Sequence, residues 1–152
     1  MKTKIAIVGS RSHPNPKKAV YELMEERVLS TPMEQLVAPT VIISGGARGV
    51  DYEAEMYGME HGLQVISFRP WGKTAPFTIA KFTFEGQTYK GAIKDLDQRS
   101  FGSFRDAAMA RNELIVEEAE EIYALWDGKS PGTRNTIMTA MRAKKFVWIR
   151  FP

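Results

Sequence analysis

The sequence predicts an α/β protein built on a doubly wound parallel β-sheet. Short apolar segments alternate with segments of helical periodicity along the chain. Glycine-rich turns follow several apolar segments, and a cap residue followed by proline begins two of the helical segments. Apolar strands that alternate with amphipathic helices are typical of βαβ units, whose parallel sheet is covered on both faces.

In the first half of the chain, three buried strands are separated by two helices. A cap followed by proline at Asn15–Pro16 begins the first helix, which Pro32 closes. The second helix continues from Val50 to His61, with Gly62 as its C-terminal stop. The strands are Lys4–Val8, Thr40–Ser44 and Leu63–Phe68.

The second half adds two helices and two strands. Ser103, with Asp106 three residues later, resembles a capping box and predicts a helix from Phe104. The cap and proline at Ser130–Pro131 begin the last helix. Its flanking strands are Glu121–Trp126 and Phe146–Phe151. Right-handed crossovers then give a Rossmann-like sheet of about five strands in the order 3-2-1-4-5.

Residues Pro70–Gly102 interrupt the alternation and predict an inserted β-hairpin. Two strand-like segments, Ile79–Phe84 and Thr88–Ile93, are joined by the turn Glu85–Gly86–Gln87. An isolated hairpin is marginally stable in water, so its apolar side needs a cover. The same domain or a second subunit can supply that cover, and a plain surface excursion is the alternative.

The amino-acid composition limits the classes of protein to which the chain can belong. The chain has 152 residues, 43% hydrophobic and 26% charged, which predicts one domain over residues 1–152. Without cysteine, disulfide frameworks and thiol nucleophiles are excluded, and no two-histidine metal spacing exists, so we predict no metal site. No segment approaches the roughly 18 apolar residues of a membrane span, and we expect a cytoplasmic protein without a membrane partner.

Charge gives a weaker indication. The 21 basic and 18 acidic residues leave a formal net charge of +3. This balance is too even to indicate a nucleic-acid binder, and it is compatible with a small anionic ligand.

Three turns lie at the carboxyl ends of predicted strands. They are Gly9–Arg11, Ser44–Asp51 and Asp127–Thr133. In an open α/β sheet, ligands bind outside these ends where the winding reverses, here between the first and fourth strands. Glycines let the backbone approach a ligand, and the N–H groups and dipole of a helix N-terminus attract an anion. The turns therefore predict an anion cradle, with tight strand-to-helix turns as the alternative.

Arg111 lies on the apolar stripe of the third helix, beside Asn112. That stripe consists of Phe104, Ala107, Ala108, Leu114 and Ile115. A cation on an inward face indicates a ligand or a structural carboxylate such as Asp51. The candidate ligand-binding residues are Gly9, Ser10, Arg11, Ser44, Gly45, Gly46, Ala47, Arg48, Gly49, Asp51, Arg111, Asn112, Asp127, Gly128, Ser130, Gly132 and Thr133.

Well-known cofactor fingerprints are missing from these turns. The run Gly45–Gly49 is not the dinucleotide motif, and Gly128–Thr133 lacks the lysine of a P-loop, so we predict no cofactor. Of the two histidines, His61 is interpreted as a structural helix end and His13 as a solvated loop residue near the site.

The motifs together resemble the SLOG superfamily, and within it the YspA-like, YpsA-related branch. The matching runs are Ile5–Arg11, Ser44–Asp51 with Ala54, Arg111–Asn112, and Trp126–Thr133 with Ala140. The resemblance implies a Rossmann-like domain for nucleotides or nucleotide-derived ligands, with homo-oligomers such as dimers or tetramers. Its relatives include the Lonely Guy phosphoribohydrolases and the DNA-processing protein DprA.

Three functions follow as alternatives. The first is sensing or sequestering of a nucleotide-derived anionic small molecule. The second is hydrolysis or transfer at an N-glycosidic bond, for which Asp51 and Asp127 are the candidate catalytic residues. Thr136 stands where the resembling hydrolases have a glutamate, which argues against that mechanism. The third is DprA-like binding of single-stranded DNA, against which we weigh the even charge and the lack of an evident basic groove with interleaved aromatics.

Overall fold

A computed structural model of the chain describes residues 2–30, 40–85 and 92–152. Within these ranges the chain forms one seven-stranded sheet and four helices. The strands are β1 Thr3–Gly9, β2 Thr40–Ser44, β3 Gln64–Trp71, β4 Thr78–Phe84, β5 Ala92–Leu96, β6 Glu121–Leu125 and β7 Phe146–Arg150. The helices are α1 Pro16–Ser30, α2 Val50–Glu60, α3 Phe104–Glu118 and α4 Pro131–Arg142.

The strand order is β5-β4-β3-β2-β1-β6-β7. Its parallel part, β3-β2-β1-β6-β7, has the predicted 3-2-1-4-5 order, and the α/β fold class is confirmed. The strand count differs from the prediction of about five. β4 pairs antiparallel with β3 and β5 pairs antiparallel with β4, so the inserted hairpin continues the sheet rather than standing off its rim.

The core has two layers because successive side chains of a strand point to opposite faces. Ile5 and Ile7 of β1 pack with apolar residues of α1 and α2. Ala6 and Val8 pack with apolar residues of α3 and α4 on the other face. β1 thus lies at the centre of both layers, and the loop that follows it opens between them.

Local helix signals correspond closely to the observed ends. α1 begins at Pro16, and Ser130 precedes α4 with proline at its first position. The hydroxyl of Ser103 accepts a hydrogen bond of 3.1 Å from the Asp106 amide, and α3 begins at the next residue. At the end of α2, Gly62 adopts a φ of +67°. The predicted closure of the first helix at Pro32 lies outside the described residues.

The hairpin region corrects two expectations. β3 extends to Trp71, three residues beyond the predicted Phe68, because it pairs with β4 along its length. Phe84 is buried and Phe82 partly buried against the α1–α2 layer, so the chain itself covers them. The rest of the predicted turn and the start of the second strand, residues 86–91, lie outside the described ranges.

The predicted inward stripe of α3 is only partly correct. Ala107 and Ile115 are buried, whereas Phe104, the first residue of the helix, is 51% exposed. In the described part of the chain, none of the helices combines the length and apolar character needed to span a bilayer.

Candidate functional site

A cleft of about 790 Å³ lies at the carboxyl edge of the parallel strands. Its walls come from the loops after β1 and β2, the end of β3, one face of α3 and the first turn of α4. β1 lies between β2 and β6, so the cleft opens where the winding reverses. This is the place where open α/β sheets bind ligands.

Most of the predicted site residues are brought together here. The cleft is lined by Gly9, Ser10, Arg11, Gly45, Gly46, Ala47, Arg48, Asp51, Arg111, Asn112, Ser130, Gly132 and Thr133. Four predicted residues do not line it: Ser44, Gly49, Asp127 and Gly128. The sequence interpretation missed Arg69, Phe104, Arg105, Met109 and Thr136, which also line the cleft.

Two amide groups of the β2–α2 loop have acceptors near by in the chain. The Ser44 hydroxyl accepts a hydrogen bond of 3.1 Å from the Gly46 amide. One carboxylate oxygen of Asp51 accepts a bond of 3.2 Å from the Ala47 amide. Gly46 adopts a φ of +70° and Gly49 a φ of +81°, a region that favours glycine. These two amides are therefore donors to the protein itself and help to hold the shape of the loop.

The β6–α4 loop is organised in the same way. One carboxylate oxygen of Asp127 accepts hydrogen bonds from the amides of Lys129 at 2.8 Å and Ser130 at 2.7 Å. The other accepts from the Ser130 hydroxyl at 3.0 Å. These bonds favour the charged form and hold the pKa of Asp127 well below its ordinary value. The carboxylate of this catalytic candidate is thus occupied in shaping the turn.

Arg111 connects α3 to two strand ends. Its guanidinium donates to the carbonyl of Gly45, and to that of Phe68 at 3.3 Å. Its Nε lies 3.1 Å from the Asn112 amide oxygen. Burial lowers the pKa of Arg111, and the nearby Asp51 charge partly offsets that effect. The side chain therefore has a structural role as well as a position in the cleft wall.

Asn112 joins the same network to α4. Its amide nitrogen donates to the Gly132 carbonyl at 3.3 Å and to the side-chain oxygen of Asn135 at 3.1 Å. Because Arg111 and Asn112 are adjacent, α3 fixes both sides of the cleft.

Asp51 is the buried acid of the cleft floor. Burial raises its pKa from 3.8 to about 6, against the opposing effect of the Arg111 charge. Its Oδ1 atom has no hydrogen-bond partner among the described residues. One turn further along α2, Glu55 is also buried and forms an ion pair of 2.7 Å with Arg69.

Arg69 is the main residue that sequence reasoning missed. It follows the predicted third strand directly, and its place at a strand's carboxyl end was the available signal. Its Nε donates to the Ser67 hydroxyl at 2.9 Å, and its guanidinium lies over the ring of Phe82 at 5.2 Å. These contacts hold a cation at the rim of the cleft.

The cleft is strongly basic. Among its described lining residues, five are arginines and one is an acid, Asp51. The arginines are Arg11, Arg48, Arg69, Arg105 and Arg111. Three of them, Arg11, Arg48 and Arg105, are exposed to solvent. Phe104 presents a half-exposed ring beside these charges and contacts Phe77 edge-to-face at 6.0 Å.

The remaining candidates have structural contacts. Thr136 is buried, and its hydroxyl donates to the Gly132 carbonyl at 3.2 Å. His61 is the C-terminal cap residue of α2, and its ring stacks on that of Tyr57 with 3.9 Å between the ring centroids. This confirms that His61 is a structural residue at the end of the helix. The Nδ1 atom of His13 accepts from the Asn15 amide at 3.0 Å. In the described ranges, no group of three or more acidic or histidine side chains is arranged to hold a metal ion.

The sheet order and the position of the cleft define a Rossmann-like α/β protein with a basic site at its switch point. The family comparison is more specific. The model of the DNA recombination-mediator protein A family matches residues 1–152, and the chain belongs to this family. A comparison with curated proteins finds no match.

Solved structures share this fold. DNA processing protein A from Helicobacter pylori, described for its single-stranded DNA binding mode, is 20% identical with a TM-score of 0.59 over 97% of this chain and 64% of that chain. DprA from Streptococcus pneumoniae is 19% identical with a TM-score of 0.63, and the match covers 97% of this chain and 50% of that chain. TM1055, a structural genomics target, is 17% identical with a TM-score of 0.55, and the match covers 95% of this chain and 72% of that chain.

The family match supports the SLOG superfamily, and the solved structures agree with its fold, whereas the YspA-like branch is not confirmed. At such identities the structural likeness concerns the fold alone. The chain spans 64% and 50% of the length of the two DprA chains.

The expectation of a small-molecule sensor is wrong. The family match and the DprA structures overturn it and agree with the DNA-binding alternative to which we gave least weight. The expectation against a nucleic-acid partner is wrong for the same reason. Net charge is a sum over the whole chain and gives no information on where the charges lie. In the folded chain, five arginines from separate segments line one cleft.

Proposed function

We propose that the cleft binds single-stranded DNA through phosphate contacts to its arginines. The observation that carries this proposal is the basic lining, in which the exposed Arg11, Arg48 and Arg105 supply the charge, because the buried acids Glu55 and Asp51 offset Arg69 and Arg111. Cations near phosphates release condensed counterions, and this release supplies most of the sequence-independent affinity for nucleic acids. Membership of the DNA recombination-mediator protein A family supports the same ligand class.

An unpaired strand suits the site better than a duplex. Phe104 is half-exposed at the cleft, and an aromatic ring gains energy by stacking on a base only when that base is not already stacked in a helix. We assign base stacking to Phe104 and backbone contacts to the exposed Arg11, Arg48 and Arg105.

The two arginines with buried contacts have a different role. Arg69 and Arg111 are held by side-chain and carbonyl partners beside the buried acids Glu55 and Asp51, so they present positioned N–H donors before the ligand arrives. Preorganised donors lose less conformational freedom on binding. The first turn of α4, with Gly132 at the cleft, adds a helix N-terminus that favours anions.

Fluorescence anisotropy with a labelled oligothymidylate tests this function. We expect binding whose affinity falls steeply with salt, and weaker binding of a duplex of equal length. In an Arg11→Ala/Arg48→Ala double variant, affinity falls. The slope of log K against log salt becomes shallower by about 0.7 for each phosphate that the variant no longer neutralises.

The matched control is Arg142→Ala, which removes an exposed arginine at the end of α4, outside the cleft lining. It leaves the affinity and slope close to those of the parent. No binding by the parent at low salt, or equal loss in the control and the cleft variants, would contradict the assignment.

We also propose that the chain belongs to the YspA-like branch, lies in the cytoplasm and associates with itself. Light scattering across a dilution series tests self-association, and a monomeric mass at high concentration rejects it.

A further inference from the structure

An aromatic surface continues from the rim of the cleft along the inserted strands. Trp71 ends β3 and is 43% exposed. Its ring lies 5.7 Å from that of Phe82 in β4, tilted by 54°. We call Trp71 and Phe82 the aromatic shelf.

The shelf and the cleft share one cation. Arg69 and Trp71 are two residues apart in β3, so their side chains project from the same face of the sheet. The guanidinium of Arg69 lies 5.2 Å from the centre of the Phe82 ring, and Arg69 also lines the cleft. The basic cleft and the shelf are therefore continuous through Arg69.

The inserted strands create this arrangement. β4 pairs with β3 so that Ser67 lies opposite Phe82 and Trp71 opposite Thr78. Phe82 packs partly into the α1–α2 layer, which supports the inner side of the shelf. Trp71 remains 43% exposed, and exposed Lys73 follows it two residues later.

We propose that the aromatic shelf is a second base-stacking site, where Trp71 stacks a nucleobase of a strand that leaves the cleft past Arg69. This inference rests on the proposed function and extends it to the inserted strands. Single strands use a stacking face for a base and polar or cationic contacts to the adjoining phosphate. The exposed indole of Trp71 offers the first, and the guanidinium of Arg69, which Glu55 and Ser67 hold in place, offers positioned N–H donors for the second. Lys73, two residues after Trp71, adds an exposed cation. Every base has a π-face, so the site accepts single strands without sequence preference.

Oligomer length separates the shelf from the cleft. A short oligothymidylate of about 4 nucleotides is expected to occupy the cleft alone, and one of about 15 nucleotides to reach the shelf as well. Trp71→Ala weakens binding of the long oligomer by about tenfold and leaves the short one unchanged. Trp71→Phe keeps most of the affinity for the long oligomer because phenylalanine still stacks.

Tryptophan fluorescence provides an independent readout. The long oligomer quenches the emission of the parent protein, and the Trp71→Phe variant loses that part of the quenching while still binding. Phe146→Ala is the matched control, because Phe146 is 54% exposed but begins β7 at the opposite edge of the sheet. Thermal unfolding of each variant identifies any loss caused by misfolding, and a poorly folded Trp71→Ala is replaced by Trp71→Gln.

The outcomes distinguish the two proposals. Loss confined to the long oligomer, with normal behaviour of the control, supports the shelf. If the arginine variants lose affinity while Trp71 variants bind both oligomers as the parent does, the shelf is rejected and the cleft stands. If the parent binds neither oligomer, both proposals fail.

Discussion

The guanidinium of Arg111 donates a hydrogen bond to the backbone carbonyl of Gly45, and so joins α3 to the loop after β2. Gly45 leaves room for this contact, since a Cβ there would lie 2.9 Å from an Arg111 nitrogen and 2.8 Å from an Asp51 oxygen. The three residues form a compact polar unit beneath the cleft.

Arg111→Ala should lower the stability of the protein as well as its DNA affinity. Removing the guanidinium leaves the Gly45 and Phe68 carbonyls without this donor and Asp51 without its nearest compensating charge. We expect a loss of about 1–3 kcal/mol in the free energy of unfolding. Arg111→Lys restores part of it, because an ammonium group cannot reproduce the planar fork. Urea denaturation measures the free energy of unfolding of both variants. Parent-like stability of Arg111→Ala would show that these hydrogen bonds are dispensable.

Asp51→Asn should change how stability depends on pH. The folded-state pKa of about 6 lies above the ordinary 3.8, so Asp51 favours folding most below pH 3.8, and this contribution is lost as pH rises through about 6. Between these two pH values, the contribution of Asp51 to the free energy of unfolding falls by about 3 kcal/mol.

The asparagine of this variant keeps an acceptor for the Ala47 amide but does not titrate. The stability of Asp51→Asn relative to the parent should therefore rise between about pH 4 and about pH 7. Urea denaturation at a series of pH values measures this difference, and parallel curves for the two proteins would rule out an elevated pKa.

Gly46 and Gly132, two of the four glycines that line the cleft, should respond differently to substitution. Gly46→Ala places a Cβ at a φ of +70° and against the Arg69 side chain, so we expect a loss of about 1–2 kcal/mol in stability and a displaced Arg69. A Cβ on Gly132 meets open space. Gly132→Val should keep the fold and weaken DNA binding by filling the cleft. Thermal unfolding and anisotropy measured on both variants separate these effects, and undiminished binding by Gly132→Val would make that turn structural only.

Phe104→Ala should weaken single-stranded DNA binding without unfolding the protein. The ring is 51% exposed, and base stacking on an aromatic side chain is worth about 1–3 kcal/mol by alanine substitution. Phe104→Tyr retains the stacking face and should bind nearly as the parent does. Anisotropy with a normal and an abasic oligonucleotide measures the effect. If Phe104→Ala reduces affinity for both equally, the ring does not stack on a base.

The parallel strand order, several helix starts and the location of the cleft could all be predicted from the amino-acid sequence. These features depend on local chemistry, such as the Ser103 cap, and on the rule that carboxyl ends of parallel strands share one edge. Positions directly after strands were therefore enough to predict that loop residues such as Arg11 and Gly45 line the cleft.

The charge and extent of that cleft, in contrast, arise only when the chain folds. The five lining arginines come from separate segments, and the even net charge of the chain does not indicate which charges lie close together after folding. The raised pKa of Asp51 requires burial, and the aromatic shelf requires β4 to pair with β3. Electrostatic fields and stacking surfaces depend on distances between segments far apart in the chain, which local periodicity does not encode.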